Sequence, residues 1–382
     1  MELLTTQAAL NALCQHLIHT KPAFIALDTE FERETTYWPI LCLLQLATPT
    51  GDVYLIDPLV EKLDLSPLKP LFENPQIIKV FHAARQDIEV ILCTLDVLIS
   101  PLFDTQIAAM MCGYGESIGY EGLVLKTLEV QVDKSARLTN WAKRPLTEAQ
   151  LAYAAGDVIH LVPLYAHMCR LLDTRARRAW AEEETKKLLN RSLYEIDPAL
   201  AWERVSIRTQ TPLQKARLMR LAAWREKEAV KRNVPRSRLL KNDALEEIIQ
   251  RPPVDIAGFD RIRALRPRPL NASDKEAVLS LLCPLPGEDV PDFDTPFSRP
   301  APPPLSKTVL AKALLAFVAR TEEMAPSLIA LSKDLDAFCL EPTRRDFDFF
   351  KGWRHDIFGG KLCALMDGTL KAFFHGEDLH FI

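Results

Sequence analysis

The sequence lacks the features that mark membrane-spanning, secreted and zinc-binding proteins. It has no apolar run long enough to cross a bilayer, and residues 1–6 contain no basic segment of the kind that opens a signal peptide. Its eight cysteines are scattered without a C-x-x-C pair, which argues against a zinc ribbon and against a disulfide framework. We therefore expect a cytoplasmic protein with reduced thiols, no membrane attachment and no evident obligate protein partner.

An overall excess of positive charge is also missing, because the formal net charge is -4. Nucleic-acid binding would therefore need a local basic patch, and one stretch has that character. Between residues 204 and 241 the chain has twelve basic and two acidic residues. This basic segment is typical of a partner with a phosphate backbone, although a solubilising helix face would have the same composition. The candidate contacts within it are Arg225, Lys231 and Arg232.

The composition is otherwise that of a folded protein, with 48% apolar and 26% charged residues in 382. Up to about residue 190, strand patterns come first and then alternate with helical ones, which predicts an α/β or α+β layered domain. Residues 211–283 and 305–376 have helical patterns, and the proline-dense residues 284–304 between them are typical of a stiff linker. We therefore predict domains at 1–190, 191–288 and 289–382, the last two of them small, all-helical and plausibly duplicated.

Residues 24–31 end a buried strand with two carboxylates. Successive strand side chains point to opposite faces, so Asp28 and Glu30 project to the same side. Two like charges held there repel each other unless a cation lies between them. The alternative is a strand edge that runs into a solvated turn, and further acidic residues downstream would favour the metal site.

Such residues occur at Asp87, near the start of a predicted helix, and at Asp157 in a later helix. Tyr153 lies four residues before Asp157, so the two share one helix face and could point into a cleft. Taken singly, each could equally be an ordinary surface acid or a tyrosine-carboxylate pair. Glycine inside a helix costs about 1 kcal/mol relative to alanine. We expect that a close backbone approach at Gly156 explains the presence of glycine there.

Taken together, these residues resemble the ribonuclease D family of DEDD exonucleases, in the subgroup marked by tyrosine. The histidine subgroup would require histidine at position 152, which is alanine. The similarity runs in the family's order through the following segments: Leu27-Asp28-Thr29-Glu30-Phe31, Leu43-Leu44-Gln45-Leu46, Phe81-His82-Ala83 to Asp87-Ile88-Glu89, Phe103-Asp104-Thr105-Gln106, Asp133-Lys134-Ser135, Asn140-Trp141-Ala142-Lys143-Arg144-Pro145-Leu146 and Tyr153-Ala154-Ala155-Gly156-Asp157. Residues 221–245 are similar to the small helical HRDC domain, and the third region looks like a second, diverged copy.

The resemblance implies a ribonuclease H-like mixed sheet with flanking helices, two divalent metal ions, Mg²⁺ or Mn²⁺, and an RNA substrate. Asp28 would bridge the ions, Glu30 and Asp157 would complete the site that activates water, and Asp87 would hold the second ion. Tyr153 would orient the water, because its ordinary pKa near 10 makes it a poor base. We assign the rival acid Asp104 to a helix cap and the rival acid Glu89 to the solvent side.

The activity implied is 3'-to-5' exoribonuclease action that releases nucleoside 5'-monophosphates, with 3'-extended tRNA precursors as expected substrates. Two alternatives stay open: an RNA-binding protein without activity, and a DNA 3'-5' exonuclease of the same superfamily. Three residues of the first domain are further candidates for substrate contact, by phosphate binding or base stacking. They are Lys134, Trp141 and Arg144.

Overall fold

The computed structural model describes residues 1–60, 63–133, 135–207, 211–282 and 303–382. Lys134, Arg208 of the basic segment and most of the predicted proline-rich linker lie outside these ranges. Close contacts divide the chain into two units. One comprises Met1–Glu30, Cys42–Leu189 and Arg299–Ile382, and the other Phe31–Leu41 and Asn190–Ser298. We call the first the nuclease unit and the second the helical unit.

A mixed sheet of six strands carries the nuclease unit. The strands are β1 (Glu2–Leu4), β2 (Phe24–Glu32), β3 (Ile40–Ala47), β4 (Val53–Ile56), β5 (Ile78–Phe81) and β6 (Leu102–Asp104). Their order in the sheet is β1-β4-β3-β2-β5-β6. Strands β3 and β4 are antiparallel, whereas β5 runs parallel to both of its neighbours, β2 and β6. The strand predicted at residues 24–31 is therefore confirmed. The strands β1 and β6 are each only three residues long.

Eight helices accompany this sheet between residues 7 and 187 in the described ranges. They are α1 (Gln7–Thr20), α2 (Leu68–Phe72), α3 (Arg85–Leu95), α4 (Thr105–Met111), α5 (Tyr120–Leu128), α6 (Glu148–Ile159), α7 (Leu161–Thr174) and α8 (Arg178–Lys187). Two of them begin at side-chain caps, and the one at Asp104 is the cap that the sequence predicts. The Asp104 carboxylate accepts from the backbone N–H groups of Gln106 and Ile107, and Thr147 with Gln150 forms a complete capping box.

The helical unit contains four α-helices in its described part: α9 (Pro212–Arg232), α10 (Arg236–Leu239), α11 (Asn242–Gln250) and α12 (Ala272–Leu282). 3₁₀ turns at Arg191–Leu193 and Pro198–Arg204 precede α9, and two more at Ala257–Arg261 and Arg263–Leu265 lie between α11 and α12. Leu221, Leu245, Ile248 and Val278 are fully buried in its core. The apolar face of each helix thus packs inward, as the helical pattern predicts.

Residues 303–382 form five α-helices and a small hairpin. They are α13 (Leu305–Thr321), α14 (Pro326–Ile329), α15 (Ser332–Leu340), α16 (Gly352–Arg354), α17 (Gly360–Asp367), β7 (Ala372–His375) and β8 (Asp378–Phe381), with a 3₁₀ turn at Asp348–Phe350 and a π-helical turn at His355–Gly359. The antiparallel pair β7 and β8 departs from the all-helical expectation for this region. The succession of a long, a four-residue and a nine-residue helix repeats that of α9 to α11, which agrees with the duplication hypothesis.

Across the part of the chain that the structure describes, no helix is both long and apolar enough to cross a bilayer.

Candidate active site

The pleat of β2 places its two carboxylates on one side and a hydroxyl on the other. Asp28 and Glu30 alternate with Thr29, which is 6% exposed. The Thr29 hydroxyl donates a hydrogen bond of 2.5 Å to Oδ1 of Asp87. One strand therefore supplies two candidate ligands and also orients a third acid, which is remote in the sequence.

Asp87 reaches this region because α3 follows β5, the parallel neighbour of β2. It lies in the first turn of α3 and is 6% exposed. A carboxylate in the first helical turn is favoured by the positive end of the helix dipole. Burial nevertheless raises the pKa of Asp87 to about 7, although the hydrogen bond from Thr29 acts in the opposite direction.

The third contribution comes from α6, on which Tyr153 and Asp157 share one face as predicted. A side-chain hydrogen bond joins them, and it lowers the pKa of Asp157, but burial outweighs it and the net pKa is about 7. Burial and then the charges of Asp157 and Glu30 raise the pKa of the Tyr153 hydroxyl. Tyr153 therefore stays protonated at neutral pH and acts as a hydrogen-bond donor.

Three of the four predicted acids form one cluster. Asp28, Glu30 and Asp157 each offer a carboxylate oxygen, and these atoms all lie within 4.8 Å of one another. Burial and then the charge of Asp87 raise the pKa of Asp28 well above its ordinary value. Asp87, the fourth predicted acid, therefore interacts electrostatically with the cluster. Burial, Asp157 and Asp87 also raise the pKa of Glu30, to about 8. Converging oxygen ligands that repel one another fit a hard divalent cation.

Asp28, Tyr153 and Asp157 open onto a cavity of about 540 Å³. Arg137 also lines this cavity, and its positive charge opposes the raised pKa values of Glu30 and Asp157. Sequence reasoning did not select Arg137, which lies between two of the segments that resemble the family, 133–135 and 140–146. Other lining residues that the sequence did not single out as functional are His82, Tyr120 and Glu121.

The rival acid Asp104 has the structural role that the sequence predicts. Its carboxylate accepts from the N–H groups of Ala83 and Ala84 at 3.0 and 2.9 Å and also caps α4. It is 3% exposed and thereby ties the start of α3 to the end of β6. Glu89 is half-buried on α3 and is not one of the residues that line the active-site cavity.

Gly156 is not explained by a close backbone approach. A Cβ atom at this position would meet no atom within 4 Å among the described residues. Its carbonyl accepts a hydrogen bond of 2.8 Å from the Tyr120 hydroxyl, a contact that any residue could make.

Two of the residues predicted to contact substrate in the first domain make contacts within the protein. Trp141 is 5% exposed and packs near Tyr153, with 6.0 Å between ring centroids. The Arg144 guanidinium binds the Asp57 carboxylate at 2.6 and 2.7 Å and the Cys42 carbonyl at 2.6 Å. Their role in binding substrate stays a prediction, and the geometry supports packing for Trp141 and anchoring for Arg144. Lys134 lies outside the described residues.

The predicted contacts of the basic segment also differ in their surroundings. Arg232 donates to Asp274 at 2.9 Å, and Arg225 is 6% exposed and donates to the Leu240 carbonyl at 2.9 Å. The Lys231 side chain is 76% exposed. Lys231 therefore presents most of its side chain to solvent, with Glu228 at 3.8 Å, whereas Arg232 is held more closely by both Glu228 and Asp274.

Comparison with known proteins identifies the family. The family model described as a 3'-5' exonuclease matches residues 1–173, and the HRDC domain model matches residues 214–276. A ribonuclease D of Gluconacetobacter diazotrophicus is 38% identical over 371 residues, covering 96% of this chain and 93% of that protein. The chain belongs to the ribonuclease D family.

Two further comparisons support this assignment. A ribonuclease D of Bartonella henselae is 40% identical over 91% of this chain and 86% of that protein. The crystal structure of Escherichia coli RNase D matches with a TM-score of 0.80 and 30% identity, over 96% of this chain and 98% of that one. As a member of the ribonuclease D family, the protein is a 3'-5' exoribonuclease that acts on RNA and uses a divalent metal.

Proposed function

We propose that the protein removes nucleotides one at a time from the 3' end of structured RNA, with 3'-extended tRNA precursors as substrates. The observation that carries this proposal is the convergence of Asp28, Glu30 and Asp157, whose ligand atoms lie within 4.8 Å of one another. The E. coli enzyme is described as an exoribonuclease involved in structured RNA processing, and the two chains match over almost their full lengths.

We infer that the four acids, Asp28, Glu30, Asp87 and Asp157, hold two divalent cations, Mg²⁺ or Mn²⁺. When bound, such ions lower the pKa of a water and stabilise charge on the leaving 3' oxygen. Asp28 is the acid best suited to contribute to both ion sites, because the charges of Asp87, Asp157 and Glu30 all raise its pKa. Asp87 is held by Thr29, so its carboxylate is oriented before any ion binds.

Tyr153 is proposed to position the attacking water and not to remove its proton. The raised pKa of its hydroxyl keeps it protonated, and its hydrogen bond to Asp157 fixes its direction. Because its single O–H is donated to Asp157, the phenol oxygen is left as an acceptor that can hold a water in line with phosphorus. Arg137, which lines the same cavity, would offset the negative charge of an incoming phosphate.

The test is incubation of a 3'-extended tRNA with the protein and either Mg²⁺ or Mn²⁺, followed by resolution of product lengths. We expect a ladder that shortens from the 3' end, release of nucleoside 5'-monophosphates, and no turnover in EDTA. Internal cuts would contradict an exonuclease. A matched DNA oligonucleotide degraded as fast as RNA would favour a less selective nuclease, since only the 2'-hydroxyl distinguishes the two.

A further inference from the structure

The loop between α4 and α5, residues 112–119, contacts both residues 303–382 and the active-site cavity. We call residues 112–119 the α4–α5 loop and residues 303–382 the C-terminal region. Residues 119–122, at the end of this loop and the start of α5, all line the active-site cavity, and we call them the cavity wall. The proposed chemistry gives no role to the α4–α5 loop or to the residues that hold it.

The C-terminal region packs against the start of the loop through its backbone. The Ala325 N–H donates a hydrogen bond of 2.9 Å to the carbonyl of Met110, in the last turn of α4. Gly113 has a φ of +87°, and a Cβ atom there would lie 3.1 Å from the Glu323 carbonyl oxygen. Position 113 therefore favours glycine for two reasons, its left-handed backbone and its close approach to the C-terminal region.

Further along the loop, Glu116 binds Ser327 with both carboxylate oxygens. Its Oε1 accepts from the Ser327 N–H at 3.2 Å, and its Oε2 accepts from the Ser327 hydroxyl. The Ser327 N–H belongs to the first turn of α14, where N–H groups have no partner within the helix. The side chain of Ala325, the N-cap residue, offers no acceptor. Glu116 supplies one from a position 211 residues away in the chain.

The end of the loop is held on the side of the active site. The Ile118 carbonyl accepts hydrogen bonds from His82 Nε2 at 3.1 Å and from Gln106 Nε2 at 3.0 Å. His82 and Gln106 both line the active-site cavity. The backbone only two residues after Glu116 is therefore bonded to side chains that shape this cavity.

Tyr120, in the cavity wall, connects the loop to the helix that carries Asp157. Its hydroxyl donates a hydrogen bond of 2.8 Å to the carbonyl of Gly156, the residue before Asp157. Burial and then the charges of Asp157 and Asp28 raise the pKa of the Tyr120 hydroxyl, so the hydroxyl lies near both carboxylates. A displacement of the α4–α5 loop would thus move a group that borders the proposed metal ligands.

We propose that Glu116 and Ser327 are positioning residues, through which the C-terminal region holds the cavity wall in place to receive the 3' end of RNA. Neither residue is among those that line the cavity, so their effect on the reaction passes through the α4–α5 loop. This inference rests on the proposed function for the reaction that takes place in the cavity.

The experiment measures kcat and KM of the full chain in Mg²⁺ for the wild type, Glu116→Ala, Ser327→Ala and the double variant. Two labelled RNAs are used, one of about 16 nucleotides and one of about 4, since single-strand sites span this range. The short RNA reports on the cavity, and the long one also reports on any contact beyond it. Thermal unfolding of each variant checks that it is folded.

A matched control and a conservative variant accompany these proteins. Asp367 accepts from the N–H of Thr369 at 2.9 Å and from its hydroxyl at 2.6 Å, which is the chemistry of Glu116 and Ser327. Both of these residues lie within the C-terminal region, so Asp367→Ala removes the same kind of contact without releasing the α4–α5 loop. Ser327→Thr keeps the hydroxyl and the N–H, and it should restore wild-type behaviour.

We expect Glu116→Ala and Ser327→Ala each to raise KM about threefold to tenfold on both RNAs, because a net hydrogen bond contributes a factor of this order. The cavity wall contacts the substrate in the ground state and in the transition state alike, so kcat should stay within about twofold of wild type. The double variant should match the single ones, since all three lose one shared contact. Asp367→Ala should keep the wild-type KM.

Several results would overturn the inference. One is an unchanged KM in both single variants of an active protein. Another is a KM raised on the long RNA alone, which would favour direct contact of RNA with the C-terminal region. An equal rise in Asp367→Ala, or effects that add in the double variant, would show that the loss does not pass through the bond between Glu116 and Ser327.

Calorimetry with AMP in Mg²⁺ separates this inference from the proposed function. AMP is an expected product, and Glu116→Ala should bind it about threefold to tenfold more weakly than wild type, whether or not RNA is cleaved. Such a difference, with wild-type protein that shortens no RNA, would refute the exonuclease proposal alone. A ladder in Mg²⁺ with equal AMP affinity and equal KM in the two proteins would refute this inference alone.

Discussion

At the scale of single residues, the surroundings of the active-site acids disfavour their ionised form. Burial and mutual repulsion raise the pKa of Glu30 to about 8 and those of Asp87 and Asp157 to about 7. Carboxylates in an unfolded chain ionise near pH 4, so the folded protein without metal binds protons more tightly than the unfolded one. A bound divalent cation would favour the ionised carboxylates and so lower these pKa values.

The first prediction concerns pH and metal together. Because the folded-state pKa values are raised, the stability that protonation supports is present below about pH 4 and is lost as the pH rises from about 4 to about 8. In EDTA, the melting temperature should therefore fall over this interval. Added Mn²⁺ should raise the melting temperature more at pH 8 than at pH 5.5, measured by scanning calorimetry. An equal metal effect at both values would contradict the assigned ligand set.

The second prediction separates two acids on the same helix. Asp87→Asn should reduce kcat by roughly 10³-fold or more, since it removes a charged ligand from a site that stabilises developing charge. Glu89→Gln, two residues further along α3, is the matched control and should keep nearly full activity. Single-turnover cleavage of a labelled RNA gives both rates. A larger loss in Glu89→Gln than in Asp87→Asn would reverse the assignment.

The third prediction tests the role of the tyrosine. Tyr153→Phe removes the hydroxyl but keeps the ring beside Trp141, so folding should be unaffected. We expect kcat to fall by a factor on the order of 10²–10⁴, because the water loses the hydroxyl that positions it. The rate of the variant should keep the wild-type dependence on pH if Tyr153 positions water, whereas a proton acceptor would change that profile.

At the scale of elements, residues 31–41 are part of the helical unit although they follow the strand that carries Asp28 and Glu30. The Asn233 side chain accepts hydrogen bonds of 3.1 Å from the N–H groups of both Tyr37 and Trp38. Arg236 donates to the Tyr37 hydroxyl at 2.8 Å and binds Glu226. Side chains on α9 and α10 thus supply the polar partners of this short segment.

The fourth prediction breaks that arrangement at its buried acid. Glu226→Gln leaves Arg236 without its charged partner and should destabilise the helical unit by about 2–4 kcal/mol, less than for a fully buried pair because the Arg236 side chain is 35% exposed. Tyr37→Phe loses one hydrogen bond and should cost about 1 kcal/mol. Hydrogen exchange of α9 amides in the full chain measures both. Equal protection in wild type and Glu226→Gln would show that the pair is not stabilising.

At the scale of the whole molecule, residues 303–382 share one hydrophobic core with the nuclease sheet and helices. Leu314 and Phe338 belong to the same buried cluster as Leu164 and Met168. Trp180 on α8 and Trp353 on α16 stack with 4.7 Å between centroids and 10° between planes. The third domain, predicted at 289–382 from the helical pattern that follows a proline-rich linker, stays a prediction.

Polar contacts reinforce this shared core. Arg354 is 3% exposed, donates to Glu183 at 3.2 Å and also binds Glu184. Arg177 donates to Glu322 at 2.9 Å. Each pair joins the first 189 residues to the C-terminal region. Loss of Glu322 would leave the buried guanidinium of Arg177 without this ion-pair partner.

The fifth prediction is that a chain ending at residue 302 will be less stable than the full chain. Exposure of Trp180 and of the buried Arg177 should lower the melting temperature of the nuclease unit by at least about 5 °C and increase binding of a hydrophobic dye. Arg354→Met should have a smaller effect of the same sign. Lys312→Gln, which breaks a surface pair with Asp336, is the control and should change little.

Much of this protein could be predicted from local patterns. The Asp104 and Thr147 caps, the breaks at prolines and the alternation around Asp28 depend on residues within about four positions of each other. The short strand at 102–104 and the terminal hairpin escaped prediction, because segments this short have little period of their own. They exist through pairing with remote partners, as Phe81 pairs with Asp104.

The sequence by itself determined which acids and which tyrosine are available, and the order in which helices and strands present them. Only the tertiary structure decided that Thr29 orients Asp87, that Arg144 binds Asp57, and that Arg225 is buried against the Leu240 carbonyl. The physical reason is range. Capping and amphipathic patterns act between neighbours in the chain, whereas burial, ion pairing and raised pKa values depend on groups that meet only after the chain has packed.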